Sequence, residues 1–167
     1  MQNLTIENFG PIKQAEIEIR SVLVFIGPQA SGKSTISKAI YFFKSLRDDL
    51  FRYLLDILNG IEEAPAPPGY SLSQFGRRAR DKFLGIYGPV AHFALMRLYY
   101  DYGNGVYVAV VPSNDGLGFT NVWLGGSFGE KFKLLVQDTV TFRQKAEELR
   151  RDRFLSSRET LRFEAEQ

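Results

Sequence analysis

The stretch that decides the fold is residues 22–35, VLVFIGPQASGKST. Its first five residues are apolar without alternation, which is typical of a strand covered on both faces, so we expect residues 22–26 at the centre of a sheet. Residues 27–34 then match the pattern G-x-x-x-x-G-K-[ST]. From Gly32 onward the spacing of the apolar residues becomes helical, at Ile36, Ile40, Phe43 and Leu46. The motif therefore lies between a buried strand and a helix.

This context predicts a phosphate-binding loop, which we call the phosphate loop (residues 27–34). Glycines allow a tight turn with inward amides, and a helix N-terminus adds partial positive charge. We expect Lys33 to bridge the β- and γ-phosphates of ATP and the Ser34 hydroxyl to bind Mg²⁺. Other predicted phosphate ligands are Gly27, Gln29, Ala30, Ser31, Gly32 and Thr35. The alternative is a glycine-rich turn with an incidental lysine.

The periodicity of the apolar residues predicts the elements on either side of the motif. Residues 4–9 and 15–19 alternate around Gly10-Pro11, which predicts a hairpin. One long helix or two abutting helices should run from the motif to Asn59-Gly60. Residues 64–69 are rich in proline and predict a loop, and a capping box at residues 71–74 predicts the next helix.

The second half returns to period two and then becomes helical. Residues 93–102, 106–111 and 119–124 predict an antiparallel meander with turns at 103–105 and 113–116. Residues 143–167 form a highly charged helix with a narrow apolar stripe, which favours an arm or coiled coil. The fold class is therefore α/β. We divide the chain into a lobe at 1–142, with a helical insertion at about 45–90 and antiparallel strands at about 91–125, and an arm at 143–167.

Composition narrows the function classes. The 167 residues hold 21 Lys and Arg against 19 Asp and Glu, so a net charge of +2 does not indicate a nucleic-acid binder by charge alone. The absence of cysteine excludes disulfides and thiolate zinc sites, and the single histidine, His92, cannot build a histidine metal site. No apolar run is long enough for a membrane helix, and the N-terminus lacks a signal-peptide pattern. We expect a cytoplasmic protein.

The hairpin and the loop together resemble the N-terminus of ABC-type head ATPases, the group of SMC, RecF and OLD-like AAA ATPases. Residues 6–13, I-x-N-F-G-P-I-K, precede residues 25–35, F-I-G-P-x-x-S-G-K-S-T, and look closest to the OLD-like members found in bacterial defence loci. The match covers about the first 45 residues. It implies a P-loop NTPase with an antiparallel β-lobe and a C-terminal helical arm.

The resemblance also implies how such a protein works. ATP and Mg²⁺ would lie between two heads. The two heads would form a homodimer through ATP-dependent contact, or one head would come from a partner chain that completes the site. Nucleotide binding and hydrolysis would be coupled to a DNA-related or anti-phage defence effector. It further implies that Asn8, Phe9 and Lys13 are candidates for contacts with the base or ribose. By the same resemblance, Gln137 is a candidate for the glutamine that senses Mg²⁺ and the γ-phosphate, and the alternative is a solvent-facing glutamine.

Two motifs needed for hydrolysis lack a good match. The nearest approach to a Walker B strand, residues 134–138 (LLVQD), is better explained as an ordinary strand or helix end. Residues 124–127 (LGGS) resemble a signature motif but lack the serine before the glycines, so we interpret them as a turn. The expectation is that residues 1–167 alone hydrolyse ATP negligibly.

Two further groups of residues have a functional and a structural interpretation. The basic group could grip DNA phosphates or form a solvated helix face: Arg77, Arg78, Arg80 and Lys82. The aromatic group could stack on single-stranded bases or pack the sheet: Phe93, Tyr99, Tyr100, Tyr102 and Tyr107. Alternatives to an ABC-type head are a small P-loop kinase with these arginines as a lid, and a nucleotide-binding scaffold completed by a partner.

Overall fold

The computed structural model describes residues 1–60, 68–90, 92–112 and 120–165, with side chains except at 68–71, 120 and 153–165. Residues 64–67 of the expected loop, the expected turn at 113–116 and Phe119 lie outside the described residues. The elements are β1 Gln2–Phe9, β2 Ile12–Ile19, α1 Lys33–Leu58, α2 Pro68–Tyr87, β3 Arg97–Gly103, β4 Val106–Pro112, β5 Thr120–Gly126 and α3 Phe128–Ala165.

One five-stranded antiparallel sheet joins the hairpin to the meander, in the order β2-β1-β3-β4-β5. β1 pairs with β2 on one side and with β3 on the other, so that Ile6 lies between Ala15 and Leu98. The hairpin and the antiparallel meander predicted from the sequence are both confirmed, although β3 begins at Arg97 and not at 93. Sequence periodicity did not show that the two units share a sheet.

Alternation gives the sheet one apolar face, which we call the inner face. Its buried residues are Leu4, Ile6, Leu98, Tyr100, Val108 and Val110. The helices α1 and α2 cover this face with buried aromatic side chains, including Phe42 and Phe43 from α1 and Phe83 from α2. A second, smaller core lies where the end of α1 meets α2 and α3, around Tyr53, Phe75 and Phe132. The helix after the motif is thus one continuous element of 26 residues.

The structure contradicts the expected central strand at residues 22–26. This segment has no strand assignment, and Val22, Val24 and Ile26 are 78%, 75% and 93% exposed. The five described strands pair with one another in a sheet whose edges are β2 and β5, and none of them pairs with the segment. A strand buried on both faces needs neighbouring strands and covering layers. The described residues therefore form a mixed α/β structure around an antiparallel sheet, and the P-loop NTPase fold stays a prediction.

One predicted helix start and one predicted domain boundary also differ from the structure. α2 begins at Pro68, three residues before the predicted capping box, because proline suits the first turn of a helix, where its missing amide has no partner to lose. α3 runs without a break across the proposed domain boundary at residue 143. Within the described ranges, no helix combines the length and the apolar character that a bilayer span requires.

Neither weak motif match forms its motif, although the structures differ in part from our interpretation, because residues 134–138 lie in the interior of a helix and the predicted turn is confined to Ser127. Residues 134–138 lie inside α3, so they do not form a Walker B strand. Residues 124–126 end β5, and Ser127 is a turn residue whose amide donates to the Gly105 carbonyl at 2.8 Å.

Candidate functional site

The phosphate loop is a largely exposed turn whose last two residues, Lys33 and Ser34, are the first two residues of α1. Ala30 and Gly32 have φ angles of 60° and 91°, in the left-handed region that glycine adopts without strain. The Gly32 carbonyl accepts the first helical hydrogen bond, from the Ile36 amide at 2.9 Å. Residues 27–31 are all exposed. The loop therefore presents its backbone to solvent while its last glycine starts the helix.

The turn of the first hairpin packs against the end of this loop. A Cβ at Gly32 would lie 2.7 Å from Cγ1 of Ile12 and 3.4 Å from Cγ of Pro11. On the other side of the same turn, a Cβ at Gly10 would lie 3.9 Å from Oγ1 of Thr35. The hairpin turn and the start of α1 are thus in contact, which explains why the sequence has glycine at position 32.

Replacing Gly32 with alanine is expected to destabilise the protein by about 1–3 kcal/mol, because the new Cβ both meets Ile12 and sits at a positive φ. For a chain of this length, thermal unfolding should begin several degrees lower, at roughly 2–4 °C per kcal/mol. Because Ile12 is itself buried, Ile12→Ala provides the reference: in that background the added G32A should cost only the strain of the positive φ. Gly85→Ala is the matched control, because nothing lies within 4 Å of its added Cβ. An unchanged melting temperature for G32A would contradict the assigned contact.

The side chain of Lys33 turns back toward the phosphate loop and forms hydrogen bonds with it. Its Nζ donates to the Gly27 carbonyl at 2.8 Å, to the Pro28 carbonyl and to Oγ of Ser31 at 3.2 Å. The ammonium group is therefore held over the exposed backbone of the loop. These three partners are neutral oxygens, and a phosphate oxygen is a stronger acceptor for the same cation because the hydrogen bond becomes charge-assisted.

The N-terminus of α1 fits a phosphate group. No side chain caps it, and its first turn contains no acidic residue. The amides of a helical first turn have no intrahelical partners, and the dipole of the helix favours an anion there. Ser34 is exposed in this turn, with its hydroxyl available to a metal ion that accompanies phosphate. Among the described residues, no group of three or more acidic or histidine side chains could hold a metal ion.

The structure brings the predicted phosphate ligands together on one continuous turn: Gly27, Gln29, Ala30, Ser31, Gly32, Lys33, Ser34 and Thr35. The predicted base or ribose contacts are more scattered. Asn8 is exposed and donates to the Leu95 carbonyl at 3.4 Å, and Lys13 is exposed at the start of β2. Phe9 is 2% exposed and packs against Phe83 and Phe93, so its ring belongs to the core and offers no face to a base.

Gln137 lies far from the loop of its own chain. It is exposed on α3, five residues beyond Phe132, whose ring stacks on Tyr53 with 6.0 Å between centroids. Tyr53 is twenty residues along α1 from Lys33, a rise of roughly 30 Å at 1.5 Å per residue. The structure therefore does not bring Gln137 to the phosphate loop in the same chain, which corrects its assignment as the glutamine that senses Mg²⁺ and the γ-phosphate there.

One residue near the loop was missed by sequence analysis. Tyr87, at the end of α2, donates from its hydroxyl to the Thr35 carbonyl at 2.9 Å, and Nζ of Lys38 lies 5.9 Å from the centre of its ring. Burial raises the pKa of the Tyr87 hydroxyl well above its usual range, so it stays a donor at neutral pH. The helical period marks Tyr87 as inward-facing beside Phe83, but no local pattern could name Thr35 as its partner.

Comparison with known proteins agrees with this geometry. The model of a family described as an AAA ATPase domain matches residues 1–85, which include the hairpin, the phosphate loop, α1 and most of α2. Neither the curated proteins nor the solved structures include a match. The matched segment covers half of the 167 residues. With its phosphate loop at the start of a long helix and the hairpin turn beneath it, the chain belongs to the AAA ATPase domain family.

Proposed function

We propose that this chain is the ATP- and Mg²⁺-binding N-terminal part of an OLD-like or SMC-like ATPase. The observation that carries the proposal is the uncapped N-terminus of α1, which lies beside the Lys33 ammonium and directly above the hairpin turn. The family match supports nucleotide binding and ATPase chemistry in general. The assignment to the OLD-like group rests on the resemblance of residues 6–13 and 25–35.

Each residue of the site has a distinct part in this proposal. Lys33 neutralises and positions the β- and γ-phosphates, and the amides of residues 29–33 hold the phosphate oxygens. Ser34 holds Mg²⁺ by its hydroxyl. ATP bound there supplies the phosphoanhydride whose cleavage provides the free energy. Activating water requires an acid and a base outside the loop, because hydrolysis in this class depends on a Walker B carboxylate and a water-positioning residue.

We further propose that two heads close around ATP, either as a homodimer or with a partner chain. The difference in contacts between open and closed states would shift the population of closed heads on nucleotide binding. A DNA-related or anti-phage defence effector would respond to that closure. The exposed apolar segment at residues 22–26 is compatible with completion of the fold by strands outside the described sheet.

Nucleotide titration of the 167-residue protein tests the proposal. Fluorescent ATP and ADP analogues should bind saturably, and removal of Mg²⁺ by EDTA should weaken ATP binding, because the Ser34 hydroxyl would hold a Mg²⁺ ion that neutralises phosphate charge. ATP hydrolysis should stay at the protein-free rate. Sedimentation with and without ATP reports head closure as a rise in mass.

Three outcomes would contradict this account. A failure to bind either nucleotide would contradict the proposal that the phosphate loop binds phosphate. Rapid turnover by this chain, lost in Lys33→Ala, shows that the missing acid and base are present. Formation of ADP that depends on an added phosphate acceptor favours a small kinase.

A further inference from the structure

The two hydrophobic cores of the protein leave an apolar cavity where they meet, which we call the inter-core cavity. It measures about 270 Å³ and is lined by Leu46 and Val108 from the larger core and by Phe75 from the smaller one. Leu50 and Phe128 also belong to its wall. Protein interiors contain few voids larger than a water molecule. The described side chains therefore leave a space here that a small molecule can fill.

The wall of the inter-core cavity suits a flat, apolar group. The rings of Phe75 and Phe128 lie nearly parallel, with 6.2 Å between their centroids and 18° between their planes. Tyr102 is a third aromatic residue of the lining, and its hydroxyl donates to the Phe43 carbonyl at 2.6 Å. Aromatic side chains favour offset-stacked and edge-on contacts with other rings. The cavity thus offers contacts to an aromatic ring system, and the Tyr102 hydroxyl already has a partner within the protein.

The volume of the cavity limits the size of its ligand. Apolar cavities of about 150 Å³ stay dry and bind benzene. The inter-core cavity, at about 270 Å³, corresponds to two fused rings. Sites that take drug-sized ligands usually measure about 300–1,000 Å³. By comparison with benzene, we expect a ligand of roughly 10–14 non-hydrogen atoms, which is too few for a nucleotide.

Two cationic side chains lie at the mouth of the cavity. Arg47 and Lys131 line it, and both are exposed. The Lys131 ammonium donates to the Asn104 carbonyl at 3.3 Å, and a carboxylate attracts an ammonium group more strongly than a neutral carbonyl does. The Arg47 guanidinium lies 3.6 Å from the Asp48 carboxylate, but these side chains are 86% and 66% exposed, so the pair contributes little to stability. Both cations can therefore bind an anionic group of a ligand.

The acidic residues closest in sequence to the mouth lie outside the described lining of the cavity. Asp101 accepts a backbone amide at 2.7 Å, and Asp49 forms an ion pair with Lys82. Glu130 precedes Lys131 in α3, where successive residues point about 100° apart around the helix. Among the described lining residues, none is aspartate or glutamate. Two cations without a carboxylate favour an anionic ligand.

We propose that the inter-core cavity binds a small aromatic carboxylate. The ring system lies against Phe75, Phe128 and Leu50, and the carboxylate accepts hydrogen bonds from Lys131 and Arg47. Such a ligand contacts α1, α2 and α3 together. Binding to the folded protein should therefore raise the melting temperature by mass action.

The cavity is separate from the phosphate loop. Leu46 lies roughly 20 Å from Lys33 along α1, at 1.5 Å per residue. The residues of the wall and of the mouth all lie outside the loop. The cavity thus needs no nucleotide to bind its ligand.

The probe is 2-naphthoate, a carboxylate on two fused rings. Isothermal titration of the 167-residue protein should show saturable binding with a Kd on the order of 0.1 mM, as expected for a ligand of this size. The neutral analogue 2-naphthalenemethanol has the same rings and should bind about 10-fold more weakly, because it loses the charge-assisted hydrogen bonds. Saturating ATP should not displace naphthoate.

Substitutions at the mouth test the role of charge. Lys131→Ala and Arg47→Ala should each weaken naphthoate binding about 3–10-fold and leave naphthalenemethanol binding nearly unchanged, because the carboxylate is the group that meets these cations. Lys133→Ala is the matched control, since Lys133 is an exposed lysine of the same helix outside the described lining. All three side chains are exposed, so the variants should melt close to the wild-type temperature.

Filling the cavity tests the position of the rings. Val106 is half-buried at the start of β4 and lines the cavity, so Val106→Phe should weaken binding of both compounds at least about 10-fold. Leu50→Phe fills the cavity from α1 and should have the same effect. Val111→Phe adds the same ring to β4 outside the described lining and should leave binding unchanged.

The assignment fails if naphthoate does not bind saturably below about 1 mM, or if its affinity equals that of naphthalenemethanol. It also fails if both filling variants bind naphthoate as the wild type does, or if Lys133→Ala loses as much affinity as Lys131→Ala. Tighter binding of octanoate than of naphthoate would overturn the aromatic assignment in favour of an aliphatic acid.

Discussion

Lys33→Ala is expected to reduce ATP affinity at least 100-fold in the 167-residue protein. The Nζ atom lies over the loop backbone with neutral oxygens as partners. In the proposed function it is the cation that meets the β- and γ-phosphates. Charge-assisted hydrogen bonds contribute about 1.5–3 kcal/mol each, and two of them to phosphate give a loss of this size. Fluorescent ATP titration measures the effect directly.

The fold of this variant should survive. The bonds of Lys33 are confined to its own exposed loop, so we expect the melting temperature to change by only about 1–2 °C. Lys44→Ala removes an equivalent exposed lysine from the same helix and should keep full ATP affinity. Wild-type affinity in K33A, or an equal loss in K44A, would show that nucleotide binds elsewhere.

Phe83→Ala is expected to give the largest loss of stability, about 3–5 kcal/mol. Phe83 is fully buried, and its ring lies 6.0 Å from Phe9, 5.3 Å from Phe42 and 4.8 Å from Tyr87. It therefore joins α2 to both β1 and α1. Removing the ring leaves a cavity at this junction, and the melting temperature should fall by roughly 6–20 °C. Chemical denaturation gives the corresponding free energy.

Two companion variants make this result specific. Phe83→Leu fills most of the cavity and should cost less than half as much as alanine. Phe51→Ala removes an equally large ring from a position on α1 that is 63% exposed, so its effect should stay within about 0.5 kcal/mol. A Phe83→Ala protein as stable as the wild type would mean that α2 does not pack on the sheet as described.

Local sequence patterns were sufficient for much of this fold. Alternation predicted the hairpin and the meander, because one face of each strand is buried and the other is wet. Helical spacing predicted one long helix or two abutting helices after the motif, and the structure has one, α1. The spacing of Gly27, Gly32 and Lys33 predicted the phosphate loop. These features are local, so a single sequence contains the whole signal.

Non-local features could not be read in the same way. An apolar run indicates that a segment requires burial, but it does not identify the strands that would pair with it. Residues 22–26 pair with no strand of the described sheet. The pairing of β1 with β3 and the bond from Tyr87 to Thr35 join residues far apart in sequence. The aromatic residues were predicted as one group, but strand alternation divides them between faces. Tyr100 packs in the core, while Tyr99 and Tyr107 face outward beside Trp123, which the sequence analysis did not include.

The continuous helix α3 has a mechanical consequence. Arg143 fixes it to the end of α1 by donating to the Ile57 carbonyl at 3.3 Å, and the helix continues without a break to Ala165. The helix from Arg143 to Ala165 is roughly 33 Å long at 1.5 Å per residue. A tilt of about 10° at the Arg143 pivot sweeps the far end through roughly 6 Å, by the geometry of a rigid lever of that length. A small adjustment where α1 ends is thus amplified into a displacement as large as a full helical turn.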